Sequence, residues 1–276
     1  MISQLKFFIH AIRFQNIIIA LLCSFIALNK IDYYNETTAL ISIVIIVLLM
    51  IAANMINDIY DIRADSINKP NRALIKNPDK KKAFQVVTFF CFFSALVLGF
   101  FLNLQACLII IFSIPLLVLY TPLLKGVPLL GNIMVSFYLA LIFLFIELSL
   151  TNNISVMIIP SIFAFGISLI REIVKDVEDY KGDKLAGLKT LSIYIGIRGT
   201  IKFIILLILC FLSFCFFMIL RDQYFYYTLC VFLLVFMPLF YLIFFLIKSP
   251  TSKACKEASA LLKKITILGL IIIYII

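Results

Sequence analysis

Nine apolar runs, each about the ~20 residues that a bilayer-spanning helix needs, constrain this chain more than any other feature. They fall near residues 7–28, 38–58, 84–103, 105–121, 129–149, 154–174, 199–219, 225–247 and 258–276. Over 276 residues the chain is 64% hydrophobic and 14% charged, with a mean hydropathy of +1.16. A soluble domain carries about 45–50% apolar and about 25% charged residues, so no water-soluble fold of this length can hide the excess. Disorder is excluded by the same figures, because disordered chains are polar and poor in aromatics. An outer-membrane barrel would show short segments of alternating polarity instead. The expected fold is all-α: a polytopic bundle of about nine transmembrane helices around a central cavity, forming one domain over residues 1–276. The first run has a basic flank, Lys6 and Arg13, without a small-residue cleavage site after it, and reads as an uncleaved first helix.

The net charge is +10. Sorted by side of the membrane, 22 of the 24 lysines and arginines fall at the N-terminus and in the connections after the second, fourth, sixth and eighth runs, leaving Lys30 and Arg221 outside. This is the positive-inside pattern. It places the N-terminus and those connections on the cytoplasmic side of a cell membrane, and it accounts for the basic balance without nucleic acid as a partner. Seven cysteines without C-x-x-C spacing imply neither a zinc site nor a disulfide framework. The single histidine, His10, and Glu147, an isolated acid near the end of the fifth run, both read as interfacial.

Eight of the 14 acidic residues crowd into two stretches, each at the cytoplasmic end of a run. One is Asn54-Met-Ile-Asn57-Asp58-Ile-Tyr-Asp61-Ile-Arg-Ala-Asp65. The other is Arg171-Glu172-Ile-Val-Lys175-Asp176-Val-Glu178-Asp179-Tyr-Lys-Gly-Asp183. At 100° per residue, Asn54, Asp58, Asp61 and Asp65 fall within about 60° of one another on a helix, as do Glu172, Asp176, Asp179 and Asp183. Carboxylates stacked in this way repel and oppose the dipole at a helix C-terminus. At ~6 Å and an effective dielectric of ~20, each neighbouring pair costs nearly 3 kcal/mol before screening. A cation offsets that cost, and oxygen-only ligands suit Mg²⁺, which shares its sites with water and substrate phosphates. Basic residues follow each cluster: Lys69 and Arg72 after the first, Lys184 and Lys189 after the second. Metal and cations together neutralise a diphosphate leaving group as its C–O bond breaks. Above an apolar bundle, the matching substrate is a prenyl diphosphate.

The two stretches resemble the paired aspartate motifs of the UbiA family of intramembrane prenyltransferases. Asn57-Asp58-x-x-Asp61-x-x-x-Asp65, followed by Ile-Asn-Lys-Pro-Asn-Arg72, is similar to the first motif. Asp179-x-x-x-Asp183, followed by Lys-Leu-Ala-Gly-Leu-Lys189-Thr, is similar to the second. Arg13-Phe-Gln-Asn16 stands where the family often has Arg-Pro-x-Asn, and Tyr120 and Lys125 are separated by one residue more than the family's Tyr-x-x-x-Lys. The layout around the second run recurs at the sixth, hinting at an internal duplication. The resemblance implies Mg²⁺ between the diphosphate and Asp61 and Asp65 on one side and Asp179 and Asp183 on the other. It implies catalytic roles for these four and for Asp58 and Asp176. Substrate contacts are expected from Asn16, Asn54, Asn57, Lys69, Arg72, Tyr120, Lys125, Arg171, Glu172, Lys184 and Lys189. Ionisation of the donor produces an allylic carbocation that the acceptor attacks. The second motif is most similar to the branch that adds a geranylgeranyl chain to geranylgeranylglyceryl phosphate. The alternative acceptor is an aromatic acid of quinone synthesis, 4-hydroxybenzoate or dihydroxynaphthoate.

Overall fold

A computed structural model describes residue 7 and residues 11–32, 34–222 and 225–275; Lys6 and His10 lie outside the described residues. The regular structure among them is helical. In chain order the helices are α1 (Phe14–Asn29), α2 (Glu36–Tyr60), α3 (Ile62–Asn68), α4 (Ala73–Lys76), α5 (Lys81–Gly99), α6 (Leu104–Leu119) and α7 (Leu130–Thr151). They continue as α8 (Ile158–Glu178), α9 (Tyr180–Leu185), α10 (Leu191–Tyr194), α11 (Gly196–Asp222), α12 (Phe225–Val231), α13 (Met237–Lys248) and α14 (Ser252–Ile275). Turns of π-helix at Tyr120–Leu124 and Phe232–Phe236 follow α6 and join α12 to α13.

Among the described residues, six helical stretches are long and apolar enough to cross a membrane: Glu36–Tyr60, Pro78–Gly99, Leu104–Leu124, Leu130–Thr151, Gly196–Arg221 and Thr228–Lys248. Six rather than nine runs therefore meet that standard. The other three form helices that are shorter or partly polar. The described part of the first is the 16-residue α1, while α8 and α14 carry charges over a third or more of their length, from Arg171 to Glu178 and from Lys253 to Lys264. Outward-facing rings such as Phe89, Phe90 and Phe93 on α5 are more than half exposed. Surface of this kind is stable against lipid tails and a liability in water.

The chain divides into two compact units, Met1–Gly126 with Leu141–Ser161, and Val127–Ala140 with Ile162–Ile276. In the first unit α2 and α5 pack through Ala52, Cys91 and Phe92, backed by Leu48 and Val87. Beside them Ala11, Met55, Ala73, Leu74 and Phe84 form a second cluster. This cluster draws the chain before α1 and the chain around α4 onto α2, one turn from the first acidic motif. Asn35 and Asn103 cap α2 and α6 by accepting from the N–H groups of Thr38 and Ala106, at 3.1 and 2.8 Å. Glu147, near the end of α7, is 1% exposed. Its carboxylate accepts from Ser155 N, Ser155 Oγ, Val156 N and Met157 N at 2.8–3.1 Å, holding the chain that leads into α8.

The second unit has one large core. Ile170, Ile173 and Val174 of α8 pack with Ile204 and Ile208 of α11, Leu239, Leu242 and Leu246 of α13, and Leu262 and Ile265 of α14. Each acidic motif thus stands at the polar end of a helix whose other residues anchor it in its own unit's core.

Candidate active site

The two motifs share a local design that the helical wheel alone does not reveal. α2 stops at Tyr60, Asp61 takes φ −83° and ψ 7°, and α3 follows. α8 stops at Glu178, Asp179 takes φ −86° and ψ 3°, and α9 follows. The four-residue hydrogen-bond ladder runs through both junctions: Asp61 N to Asn57 O and Asp65 N to Asp61 O, each 2.8 Å, then Asp179 N to Lys175 O at 2.8 Å and Asp183 N to Asp179 O at 3.1 Å. Each long helix is bent rather than broken. The expectation of one unbroken helical face is corrected accordingly. The bend puts Asp65 and Asp183 into the first turn of a short helix, where backbone N–H groups favour negative charge instead of opposing it.

In the first unit Asp58 is 2% exposed. One of its oxygens, Oδ1, accepts from Arg13 Nη2 and from Arg72 Nη1, the latter at 2.9 Å. Arg72 Nε also stands 3.7 Å from Asp65 Oδ2. Two guanidiniums, 45 residues before and 14 residues after Asp58, therefore converge on a single carboxylate oxygen. Arg13 reaches it from a left-handed backbone, φ 53° and ψ 56°, a conformation that costs a non-glycine residue about 1–3 kcal/mol and clusters at functional sites. Asp58 Oδ2 and Arg13 Nε are buried without a hydrogen-bond partner. Burial pushes the Asp65 carboxyl above its ordinary value, against the pull of Arg72 and Lys69. Arg72 is shifted down, first by burial and then by repulsion from Arg13.

Lys125 resolves the departure in spacing after Tyr120. The π turn closes with Lys125 N donating to Tyr120 O, five residues back, at 2.8 Å, so the additional residue is absorbed by the wider turn. Lys125 Nζ then meets Asp61 Oδ2 at 2.5 Å. Asn57 accepts from the buried Thr121 hydroxyl. The Asn54 amide donates to Ile12 O at 3.3 Å, holding the chain just before Arg13. Asn16 lies one turn further along α1, and among the described residues no side-chain contact ties it to the carboxylates.

In the second unit Glu172 accepts from Arg171 Nη1 at 3.0 Å and from Lys175 Nζ at 2.7 and 2.9 Å. Asp176 accepts from the Asn132 side chain, and its backbone carbonyl accepts from Ser192 Oγ at 2.7 Å. Asp183 is buried and Asp179 half-buried. Lys184 and Lys189 are exposed, Lys184 with its Nζ 5.8 Å from the centre of the Tyr180 ring. Gly187, in the left-handed region at φ 77°, lets the chain turn between these two lysines without the strain a Cβ would bring.

Three residues that complete these arrangements are not evident from motif reading: Thr121, Asn132 and Ser192. The only signal for Asn132 is an isolated amide inside an apolar run. Among the described residues neither motif gathers three acidic, histidine or cysteine ligands around one point. What each offers is a pair of hard carboxylates four residues apart, Asp61 with Asp65 and Asp179 with Asp183. That donor set fits Mg²⁺, which takes one or two carboxylates and completes its shell with water and substrate phosphate.

Residues 16–265 match the UbiA prenyltransferase family. The digeranylgeranylglyceryl phosphate synthase of Saccharolobus solfataricus is 31% identical over 97% of this chain and 95% of its own length. That of Sulfurisphaera tokodaii is 33% identical over 76% of this chain and 78% of its own. Among solved structures, one giving structural and mechanistic insights into digeranylgeranylglyceryl phosphate synthase in membranes superposes with a TM-score of 0.72, covering 99% of this chain and 98% of that one at 26% identity. A UbiA homolog from Archaeoglobus fulgidus bound to DMAPP and Mg²⁺ shares the fold, with a TM-score of 0.67 over 97% of this chain and 99% of that one at 15% identity. With its apolar helices, its paired aspartate motifs and a match over most of its length, this multi-pass membrane protein belongs to the UbiA prenyltransferase family.

Proposed function

We propose that the chain transfers a geranylgeranyl group from its diphosphate to geranylgeranylglyceryl phosphate, with Mg²⁺ as cofactor. The observation that carries this reading is the pair of matched bends, each presenting two carboxylates four residues apart, with Arg72 and Lys125 beside those of the first. The 31% identity to a digeranylgeranylglyceryl phosphate synthase over nearly the whole chain supports the choice of acceptor.

The residues divide the work by charge. Asp61 and Asp65 in the first motif, and Asp179 and Asp183 in the second, hold Mg²⁺. When bound, Mg²⁺ neutralises the departing diphosphate. Arg13, Arg72 and Lys125 supply hydrogen-bond donors and positive charge to the same leaving group, Arg72 through a planar fork that matches phosphate oxygens. Asp58 keeps the two arginines side by side. It orients the cations instead of taking the metal, since its Oδ1 already answers both guanidiniums. Asp176, held by Asn132, orients the second motif in the same sense.

Purified protein in nanodiscs, given geranylgeranyl diphosphate and geranylgeranylglyceryl phosphate, forms the diether when Mg²⁺ is present. It stops with a chelator and resumes on adding Mg²⁺ back. Metal-independent turnover contradicts the proposal. The charge asymmetry supports an orientation with the N-terminus and both motif-bearing connections in the cytoplasm. Single cysteines at Lys76 and Lys189 then react with an impermeant reagent only from the cytoplasmic face, and one at Lys30 only from outside. Labelling of Lys76 and Lys189 from opposite faces rejects that orientation.

A further inference from the structure

We propose that the exposed face of α9 and α10, continued by the first turns of α11, binds the headgroups of anionic phospholipids and seats the second motif against the bilayer surface.

Residues 180–202 carry five cations, Lys181, Lys184, Lys189, Arg198 and Lys202, against one acid, Asp183. All five cations are exposed, whereas Asp183 is buried. Among the described residues none of the five enters a salt bridge. On α9, Lys181, Lys184 and Leu185 stand three and four residues apart and so share one side, while Gly182 and Asp183 are buried. Leu185 and Tyr194 are each 74% exposed, and Ile195 is exposed beside Tyr194. This exposure is not that of a loose loop. Ser192 of α10 is fully buried and donates to Asp176 O of α8 at 2.7 Å, and Tyr194 N and Ile195 N donate to Thr190 O and Leu191 O, each at 3.0 Å. The short helix is pinned on its inner side, which fixes what its outer side presents.

Gly196–Arg221 is long and apolar enough to cross a membrane. Arg198 and Lys202 near its start, with Tyr194 and Ile195 just before it, therefore stand at the bilayer boundary. Tyrosine is favoured at that level, lysine and arginine there attract anionic headgroups, and apolar side chains on a basic face bury themselves among the headgroups. Topology by itself asks only for the charge. It gives no reason for Leu185, Tyr194 and Ile195 to be exposed beside it, and in water such surface is a liability. A leaflet of anionic headgroups accounts for the charge and the apolar contact together.

The chain has no tryptophan, so Tyr194→Trp, at an exposed position, provides a single reporter. The protein is placed in nanodiscs of equal parts phosphatidylcholine and phosphatidylglycerol, with bromine on the shallow acyl carbons of one lipid or the other. Emission is blue-shifted, and brominated phosphatidylglycerol quenches it about twofold more than brominated phosphatidylcholine, the enrichment expected beside a basic face. Adding Lys181→Gln, Arg198→Gln and Lys202→Gln makes the two lipids quench equally. Adding instead Lys76→Gln, Lys81→Gln and Lys82→Gln, at three exposed lysines of another connection, leaves the preference intact. Leu185→Trp as the reporter gives the same pattern from α9 and serves as the second probe if Tyr194→Trp does not fold. Equal quenching by both lipids before any charge is removed overturns the assignment in favour of a purely apolar contact. Loss of the preference in both triple variants overturns it in favour of net charge. Emission at the wavelength of tryptophan in water, unquenched by either lipid, overturns it because the face then meets no lipid.

Discussion

Asp61→Asn and Asp179→Asn each lower turnover by on the order of 10²–10³-fold, the scale on which single electrostatic groups act on a developing charge, while the protein remains folded. The amide keeps the size of the side chain but removes a hard anionic ligand and a full charge. In Asp61→Asn it also leaves Lys125 Nζ facing a neutral oxygen in place of its partner at 2.5 Å. Both residues sit at bends in which the backbone makes the hydrogen bonds. Neither side chain is needed to form the bend, so thermal stability in detergent should change little. Asp79→Asn, at an exposed acid outside both motifs, retains full activity. Steady-state rates over a Mg²⁺ titration provide the check. Near-normal, Mg²⁺-dependent rates in both variants contradict the metal-held diphosphate.

Asp58→Ala produces the largest loss of stability. Removing the carboxylate leaves Arg13 and Arg72 facing each other across a buried space with no anion between them. Removing one partner from a buried ion pair costs about 3–5 kcal/mol, and here one residue serves two partners. Arg13 must also hold its left-handed backbone without that contact. Asp58→Asn, which keeps an acceptor oxygen in place, loses less. Thermal unfolding followed by size-exclusion chromatography ranks the three proteins as wild type, Asp58→Asn, Asp58→Ala. Added diphosphate, by supplying negative charge to the same arginines, narrows the gap between the first and the last. An Asp58→Ala protein as stable as wild type shows that the two arginines do not depend on this carboxylate.

The parts of this architecture governed by periodicity were legible in the sequence. Apolar runs report bilayer-length helices, and acids at i, i+3, i+4 and i+7 report a shared face, because both signals are local. The bends at Asp61 and Asp179 were not, since their backbone hydrogen bonds differ little from those of a helix and no proline or glycine occupies the bending residue. The spacing of Tyr120 and Lys125 carried a signal whose meaning required three dimensions: one additional residue is the mark of a π turn. Pairings over long separations, Arg13 with Asp58 and Asn132 with Asp176, depend on packing of distant segments that no local pattern encodes. The same holds for the polar start of α14. The charges of α14 read as a connection between spans, yet Lys253 to Lys264 are helical, whereas the polar end of α8 was legible as helix from the spacing of its acids.

The identity of the acceptor is the central claim, and one competition assay tests it most directly. Purified protein in nanodiscs receives Mg²⁺, geranylgeranyl diphosphate and equal concentrations of geranylgeranylglyceryl phosphate and either 4-hydroxybenzoate or dihydroxynaphthoate, with products resolved by mass spectrometry. The arrangement of cations around the two motifs predicts that the doubly geranylgeranylated glyceryl phosphate dominates. A prenylated aromatic acid as the main product contradicts it.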